Sequence, residues 1–276
     1  MGQRLRLVSW NLTRLAGTPL AEAHRAMGEP DIFCVQELRL RPKDVDAIDA
    51  MKRALSGFAC GFSLCRDDKN VTFQGGRMYG VATFVRESLA PFSHVEPEWD
   101  REGRALFTLF PKRKLALVNV YAVNGTGKPY FDHELGRIRG TRHEYKRRFN
   151  RKLMESCVGM KRQAFELVLA GDWNISRTKL DVTPRLRTEV PHAKARKQFN
   201  ETFMPTLDVV DVFRELHPDA KKYTWRNDRA RALDAARVDY ALVSRSMLPR
   251  IVSADIDENV TRFASDHAPL SVEWRD

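Results

Sequence analysis

Small groups of acid, amide, tyrosine and histidine residues follow several apolar, strand-like runs of this sequence. One run, LAGDWN, ends in Asp172 and Asn174, two positions apart. Alternate residues of a β-strand share a face, so both side chains can point past Trp173 if the strand continues. Alone, G-D-x-N is also a common turn in which Asp and Asn bond the nearby backbone. Similar endings in WN, VQE, NVYAVN, RVDY and SDH contribute Asn11, Glu37, Tyr121, Asn124, Asp239, Asp266 and His267.

The residue types in this set favour metal-assisted hydrolysis of a phosphodiester. Carboxylate oxygens suit a hard cation such as Mg²⁺, which would neutralise phosphate charge and stabilise a leaving oxygen. A second acid can position or deprotonate water, and a histidine held by an aspartate can stabilise charge on the phosphate. Asp239 stands among apolar residues in RVDYAL and needs a buried partner. Each group alone is commonly a turn, a rim charge or a strand cap, but together they predict one shared cleft.

The cysteines and apolar segments exclude other classes of protein. Four cysteines, at 34, 60, 65 and 157, lack the spacing of a zinc site, and we expect them to be reduced. No apolar run approaches the roughly 18–20 residues of a membrane span. The N-terminal segment has no long apolar stretch of the secretory type. We therefore expect a cytoplasmic protein without a membrane partner.

The basic charge of the chain favours a polyanionic partner. The net charge is +11 and the pI is about 9.7. Basic residues concentrate in RIRGTRHEYKRRFNRK (137–152), where Glu144 is the single acid. Helical spacing over 142–163 predicts one apolar stripe and one basic face. We expect Arg142, Lys146 and Arg147 on that face to bind nucleic-acid phosphates, although a solvated helix can have the same composition.

The elements that must position these groups alternate along both halves of the chain. Periodicity predicts strands at 5–12, 31–38, 80–87, 104–111, 114–124 and 164–174, and in RVDYALVS and APLSVEWR. It predicts helices at 21–28, 42–56, 142–163 and around 194–204, with a loop over 125–141. Repeats, low-complexity tracts and Pro/Gly/Ser linkers are absent from the sequence. We therefore expect a single α/β domain over residues 1–276, with sheets in the core and helices outside.

The ordered motifs resemble a known family. Over about residues 5 to 274, SWNL, VQE, NVYAVN, AGDWNIS, RVDYALVS and SDHAPL resemble the endonuclease/exonuclease/phosphatase superfamily. GDWNISRTKLDV, VVDVFRELHP and YTW resemble its exonuclease III-like branch of abasic-site endonucleases. The resemblance implies a DNase I-like four-layer sandwich of two packed, mainly antiparallel sheets flanked by helices.

The same resemblance implies an activity and its partners. It implies a Mg²⁺- or Mn²⁺-dependent phosphodiesterase that cuts duplex DNA 5′ to abasic sites and leaves a 3′-hydroxyl. It also implies 3′→5′ exonuclease and 3′-phosphatase action. We expect damaged double-stranded DNA as the partner and a monomeric enzyme.

By this resemblance, three residues serve the metal. Glu37 matches the main metal ligand, and Asn11 matches the polar residue that supports the metal shell. Asp266 matches the remaining acid, which lies at that shell or orients its neighbours.

Other residues match groups that act on water and phosphate. Asp172 matches the aspartate that orients or activates water, and Asn174 matches its phosphate-binding neighbour. His267 matches the histidine on the scissile phosphate, with Asp239 as its carboxylate partner. Tyr121 matches the tyrosine that contacts the phosphate or the leaving group, and Asn124 matches a further phosphate contact.

The sequence departs from the family pattern at positions that affect metal binding and the lesion pocket. Thr13 stands where many members have an acid or amide, which predicts a weaker second metal contact. Ala235 and Ala236 stand where many abasic-site enzymes have a bulky pocket residue. Trp225 and Val238 are expected to keep an apolar wall for a bare sugar.

Three alternatives remain at this point. The same chemistry would serve a nonspecific DNase, a 3′-end-processing enzyme or an RNA nuclease. A DNA-binding module with a decayed site is a second alternative, against which the complete set of acids and histidine argues. A phosphoinositide or small-molecule phosphatase is a third, which the strong basic charge disfavours.

Overall fold

The computed structural model describes residues 3–13, 20–70, 79–227, 233–260 and 265–276. In these ranges the strands are β1 Arg4–Asn11, β2 Ile32–Gln36, β3 Phe58–Ser63, β4 Val81–Arg86, β5 Ser93–Val95, β6 Ala105–Phe110, β7 Leu115–Tyr121, β8 Pro129–Asp132, β9 Arg137–Thr141, β10 Glu166–Asp172, β11 Val182–Thr183, β12 Val209–Asp211, β13 Trp225–Arg226, β14 Ala235–Ala236, β15 Asp239–Ser244, β16 Ile251–Ile256 and β17 Leu270–Arg275.

The helices of the same ranges are fewer and mostly short. They are α1 Leu20–Ala26, α2 Val45–Ala54, α3 Arg142–Arg162, α4 Val190–Gln198, α5 Met204–Leu207 and α6 Val212–Leu216. Short 3₁₀ segments cover Glu87–Leu89, Lys179–Asp181 and Arg245–Arg250, and a π-helical turn at Phe199–Phe203 joins α4 to α5.

Two six-stranded sheets have the same pattern of strand directions. The first sheet has the order β16-β17-β1-β2-β4-β3, and the second has the order β12-β15-β10-β7-β6-β5. In each sheet the central pair is parallel, β1 with β2 and β7 with β10. The other neighbours are antiparallel. Because parallel strands end at the same edge, each sheet carries two adjacent carboxyl ends.

The sheets pack face to face with helices outside. Alternate residues of β10 show this, since Val168 and Ala170 lie in the core between the sheets. Leu167 and Leu169 lie in the outer core beneath α3. A second outer core joins the first sheet to α1 and α2. A strand buried on both faces has a continuous apolar sequence, and ELVLAGD has it.

Helix α3 covers the second sheet with the apolar stripe that its sequence predicts. Phe149, Leu153 and Cys157 are buried there. A capping box between Thr141 and Glu144 begins the helix. Burying each large apolar side chain stabilises the fold by about 1.5–3 kcal/mol. The predicted four-layer α/β sandwich is therefore confirmed.

One local prediction was wrong and others were incomplete. The predicted loop over 125–141 contains the β8–β9 pair, which its glycines concealed because Gly136 and Gly140 occupy left-handed conformations at a turn and a strand end. The predicted helix around 194–204 is confirmed, and helical structure extends beyond it over α4, the π-helical turn and α5. Strands β3, β5 and β16 were not predicted; each lies at an edge of a six-stranded sheet, and β5 is only three residues long.

No helix among the residues that the structure describes combines the length and apolarity needed to cross a membrane.

Candidate active site

The candidate site lies where the carboxyl ends of the two parallel pairs meet. Asn11 ends β1, and Tyr121 and Asp172 end β7 and β10 opposite each other. Asp239 begins β15 directly opposite Asp172. Asn11 Nδ2 donates to Asp172 Oδ2 at 3.1 Å. This bond joins the two sheets, so the sandwich packing itself brings the residues of both halves together.

Two aspartates and a histidine form the buried centre of the site. One oxygen or nitrogen from each of Asp172, Asp239 and His267 lies within 4.8 Å of the others. His267 Nδ1 lies 2.9 Å from Asp239 Oδ2. The main chain of His267 is also held, because its carbonyl accepts from Trp10 Nε1 at 2.8 Å and its N–H donates to Ser265 Oγ at 3.1 Å.

The shared burial shifts the pKa of two of these groups. Burial first, and the neighbouring Asp239 second, raise the pKa of Asp172 to about 7. Burial alone would lower the pKa of His267, but Asp239, followed by Asp172 and Asp266, raises it to about 10. At neutral pH the imidazole is therefore a cation beside two acids. A carboxylate whose pKa lies near 7 is suited to accept a proton.

The GDWN stretch is a turn and part of the site. Asp172 Oδ1 accepts from the N–H of Asn174 at 2.8 Å, which is the turn that the motif predicts. Asn174 then returns to Asp172, with Nδ2 to Oδ2 at 3.2 Å, from a left-handed backbone (φ 52°). The strand ends at Asp172, so the two side chains meet through the turn and not through strand alternation.

Gly171 and Trp173 fix this turn on the second sheet. A Cβ at Gly171, where φ is 146°, would meet Val120 O at 1.9 Å. Only glycine allows β7 to approach so closely. Trp173 is fully buried and packs on Phe199 and Phe203, with ring centroids 5.0 and 5.4 Å away.

Lys146 lies beneath the turn and not on the surface. Its ammonium donates to the carbonyl of Asn174 at 2.6 Å, and the carbonyl of Trp173 lies at 3.5 Å. The residue is 4% exposed, and this burial lowers the pKa of its amine to about 7. The expected phosphate contact is therefore corrected, because a buried ammonium on backbone carbonyls faces the protein.

The expected phosphate contact of Arg142 is also corrected, because this side chain is buried too. The expectation for Arg147 is unchanged. The Arg142 guanidinium is buried and forms a two-pronged ion pair with Glu102, NH2 donating to Oε2 at 2.9 Å. Arg147 is half-buried one turn further along α3. It remains a predicted DNA contact.

Glu37 and Tyr121 form the second acidic part of the site. Glu37 follows β2 with a left-handed backbone (φ 62°), an uncommon conformation for a residue with a side chain. Arg39 Nε donates to its Oε1 at 3.0 Å. Burial first, and the nearby Glu37 second, raise the pKa of Tyr121 well above its usual value. The tyrosine hydroxyl thus keeps its proton and lies close to Glu37.

Thr13 and Trp225 hold Asp266. The Thr13 hydroxyl donates to Asp266 Oδ1, and Trp225 Nε1 donates to Oδ2 at 2.9 Å. The N–H of Thr13 donates to Asn11 Oδ1 at 2.9 Å, with the backbone again left-handed (φ 58°). The residue that departs from the family pattern therefore ties Asn11 to Asp266.

The expected lesion wall adjoins the histidine. Trp225 is half-buried and forms an isolated β-bridge with His267. Val238 is half-buried, and its carbonyl accepts from Trp173 N at 2.8 Å. Ala235 and Ala236 are buried as strand β14 of the small sheet β11-β14-β13. Ala236 pairs with Trp225 across this sheet, so the two alanines lie beside the expected apolar wall.

Asn124 lies exposed in the loop after β7. It is free to reach a bound phosphate, and this role stays a prediction.

Arg104 was not predicted, yet it supports the tyrosine. Its buried guanidinium lies over the rings of Tyr79 and Tyr121, 3.6 and 5.0 Å from their centroids. It donates to the carbonyl of Tyr121 at 3.0 Å and pairs with Glu102. Because Glu102 also binds Arg142, this chain of contacts links β7 to α3. No single-residue signal in REGRALF marks a buried arginine.

The donor set fits a divalent cation. Asp239 Oδ1 is buried and has no hydrogen-bond partner among the described residues. Burial and the neighbouring Asp239 disfavour the charged form of Asp172. The protonated His267 compensates only one of these two aspartates, and Glu37, which like Asp172 acts on the pKa of Tyr121, adds a third carboxylate nearby. Carboxylate oxygens suit a hard cation. The fit supports a metal without selecting Mg²⁺ or Mn²⁺.

A family model described as the Endonuclease/Exonuclease/phosphatase family matches residues 8–267. The chain belongs to this family. The predicted nuclease and DNA-repair class is thereby confirmed at the level of the family and the names of its relatives.

Two relatives illustrate the branch. The chain is 28% identical over 281 residues to Recombination repair protein 1 of Drosophila melanogaster, covering 97% of this chain and 37% of that protein. It is 26% identical over 287 residues to the exodeoxyribonuclease of Bacillus subtilis, covering 97% of this chain and 98% of that protein. The chain thus spans little more than a third of the first relative and nearly all of the second. The predicted exonuclease III-like branch is confirmed.

Two solved structures show the same fold. AP endonuclease LMAP from Leishmania major has a TM-score of 0.79 at 22% identity, covering 99% of this chain and 88% of that chain. A 3′ phosphatase from Neisseria, bound to product DNA, has a TM-score of 0.72 at 24% identity, covering 99% of this chain and 100% of that chain.

Proposed function

We propose that this protein is a divalent-metal-dependent phosphodiesterase that cuts duplex DNA 5′ to abasic sites. We further propose that it trims 3′ ends and removes 3′ phosphates. The observation that carries the proposal is the buried group of Asp172, Asp239 and His267, joined through Asn11 to the opposite sheet. Asn11, Asp172, Asp239 and His267 come from segments distant in the sequence, and their meeting at one edge of the sandwich supports this proposal.

His267 and Asp172 have complementary parts in this proposal. His267, charged and held by Asp239, binds a non-bridging oxygen of the scissile phosphate and stabilises the charge that develops there. Asp172 orients the attacking water and takes its proton. Asn174 donates from its side-chain amide to Asp172. When substrate binds, this amide would donate to the phosphate in place of the carboxylate.

Glu37 and Tyr121 occupy the opposite side of the cleft. Glu37 would hold the metal, with Asn11 and Asp266 close to its shell. When bound, the metal supplies charge neutralisation at the phosphate and leaving oxygen. Tyr121 keeps its proton and therefore contributes a hydrogen-bond donor to the leaving group.

Abasic selectivity follows from a small apolar wall beside the histidine. Trp225 is fixed by its hydrogen bond to Asp266 and by its bridge to His267. With Val238 it offers a surface for a bare deoxyribose. A nucleotide that lacks its base loses stacking and rotates out of the duplex at low cost.

The decisive test compares a duplex that carries one tetrahydrofuran abasic analogue with its intact twin. We expect the abasic duplex to be nicked far faster on the 5′ side, leaving a 3′-hydroxyl. Equal rates would instead favour a nonspecific nuclease of the same family.

Metal dependence is tested on the same substrate. EDTA should abolish cleavage, and Mg²⁺ or Mn²⁺ added in excess should restore it. Full activity in chelator would refute the proposed chemistry.

A further inference from the structure

The β8–β9 pair forms a hairpin that projects from the site end of the second sheet. Its turn is well defined, because Asp132 Oδ1 accepts from the N–H groups of Glu134 and Leu135 at 3.1 and 3.2 Å. Gly136 completes the turn in a left-handed conformation (φ 64°). Residues 134–140 are exposed throughout.

The base of the hairpin is fixed to the body of the protein. Tyr130 stacks on Tyr145 of α3 with ring centroids 3.8 Å apart. Asn70 accepts from the N–H of Phe131 at 2.8 Å and donates to its carbonyl at 3.0 Å. These contacts hold a short hairpin that would be marginal alone.

A buried aspartate completes this anchor. Asp67 accepts from Asn70 Nδ2 at 2.7 Å and lies 3.0 Å from His133 Nε2. Asp67, Asp68 and His133 resemble a metal-binding group in spacing. However, Asp67 already holds the Asn70 loop and His133, so we assign it to hairpin anchoring.

The hairpin lies close to the reacting centre. Arg142, the first residue of α3, donates its N–H to the carbonyl of Lys128 at 2.9 Å, at the start of the hairpin. Lys146, four residues later, binds the carbonyl of Asn174. Four helical residues span about 6 Å, and four extended residues span about 13 Å. The base of the hairpin therefore lies about one helical turn from the residue that supports the GDWN turn, and the hairpin is long enough to extend well past that distance.

The surface of the hairpin combines unpaired positive charge with apolar side chains. Arg137 is exposed and has no ion-pair or hydrogen-bond partner for its side chain in the described ranges. The hairpin acids are neutralised, Asp132 by Arg139 and Glu134 by Lys152. The exposed apolar pair is Leu135, 48% exposed, and Ile138, 63% exposed.

We propose that this hairpin grips the flank of a DNA duplex on one side of the cut site. Arg137 binds the phosphate backbone, and Ile138 with Leu135 packs against sugars and base edges in a groove. Charge favours nucleic acid over a protein partner, because the cation is unpaired and the neighbouring exposed Lys128 and Arg151 have the same sign. Proteins that enter grooves commonly combine arginine with apolar wedges. The inference rests on the proposed function for the direction in which the substrate lies.

Two point variants separate the electrostatic contact from the apolar contact. Affinity for abasic and intact duplexes is measured by fluorescence anisotropy in EDTA over a range of salt concentrations. Arg137→Ala should weaken binding several-fold and reduce the slope of log K against log salt by about 0.9, one phosphate contact. Ile138→Ser should weaken binding without changing that slope. Both residues are exposed, so neither change threatens folding.

Lys112→Ala is the matched control. Lys112 is exposed in the turn before β7, at the end of that strand opposite Tyr121. Removing this charge should leave affinity and slope close to wild type. An equal loss for Lys112→Ala and Arg137→Ala would indicate only a general effect of net charge and would overturn the proposal.

Shortening the duplex locates the contact. Wild-type affinity should fall when one flank is shortened, and Arg137→Ala should lose that dependence on the same flank alone. If Arg137→Ala keeps the wild-type affinity and the wild-type slope of log K against log salt, a hairpin contact with DNA is refuted. Binding is also measured on intact duplex. A wild-type enzyme without abasic selectivity would therefore reject the proposed function, while the effect of Arg137→Ala on intact duplex would still test the hairpin contact.

Discussion

Two buried ionic clusters adjoin each other in the RVDY segment, and they differ in charge balance. Arg237 and Asp239 are two positions apart and both are buried. Arg237 belongs to a cluster in which three arginines surround two aspartates, whereas Asp239 belongs to a cluster of two aspartates and one histidine. A buried charge alone therefore does not distinguish a structural cluster from a catalytic one.

Both carboxylates of the arginine cluster are paired, and Arg214 Nε is its one buried polar atom without a hydrogen-bond partner among the described residues. Arg237 donates to Asp211 at 2.7 and 3.0 Å and to Asp181 at 2.8 Å. Arg177 and Arg214 add bonds of 2.6 and 2.9 Å to these acids. Burial would raise the pKa of Asp211, but Arg237 and Arg177 hold it below its usual value. Such a cluster stabilises one arrangement of strands and loops.

The cluster of Asp172, Asp239 and His267 is less fully paired. The pKa of Asp172 is raised to about 7, and Asp239 Oδ1 has no partner in the described part of the chain. A raised carboxylate pKa and an unpartnered buried oxygen, at an edge where strands end, are the features on which the proposed active site rests. The difference teaches that unpaired charge, more than burial, marks function here.

The largest expected effect is on catalysis at Asp172. Asp172→Asn should lower kcat by about 10³–10⁴-fold, because proton transfer to a positioned base contributes up to that factor. DNA affinity in EDTA should persist. Single-turnover cleavage and anisotropy measure the two quantities, and an active Asp172→Asn enzyme would remove the proposed role.

For the free energy of unfolding we expect the opposite order, with a larger effect in the arginine cluster than at Asp172. Arg237→Met should destabilise the fold by about 3–5 kcal/mol, because it leaves two buried carboxylates without their main partner. Urea denaturation measures this. Asp172→Asn, measured in EDTA at pH 8, should be neutral or stabilising, because it removes a charge that the fold resists. Equal destabilisation by both variants would contradict the contrast between the clusters.

The pH dependence of stability should separate the clusters further. The folded pKa of His267 is about 10 against an ordinary 6.5, so the stability from its pair with Asp239 is present below about 6.5 and is lost as pH rises through 10. Asp239→Asn should therefore destabilise the protein at pH 6 more than at pH 10. It should also lower the imidazole pKa seen by NMR. A pH-independent difference would show that Asp239 does not hold a charged imidazole.

The smallest expected effect concerns the support beneath the turn. Lys146→Met should lower kcat about tenfold with little change in KM, because Asn174 and Asp172 lose a fixed position. Lys146→Arg should restore part of the rate.

Lys161→Met is the control for Lys146. Lys161 lies on the same helix and donates to the carbonyl of Leu207 at 2.6 Å, far along the chain from the turn. It should affect stability only. A loss confined to DNA affinity in Lys146→Met would restore the original expectation of a phosphate contact.

Much of the site was predictable because its residues stand in short local patterns. The Asx turn at Asp172, the partnership of Asp239 with His267 and the buried Cys34 all follow residue types that have few alternatives. The exposure of the basic residues of α3 was predicted only in part, because composition does not show which basic side chains are buried. Arg142 and Lys146 are buried through Glu102 and through two carbonyls, partners distant in the sequence.

The sequence by itself determined the alternation of strands and helices, the residue types of the site and the family to which the chain belongs. These depend on local spacing and on the order of motifs. Only the tertiary structure decided which cluster is balanced, where Lys146 lies and that residues 129–141 form a hairpin beside the site. Those features depend on contacts between segments far apart in the chain. Such contacts bury a group, and burial determines both its pKa and the side chains with which it can pair.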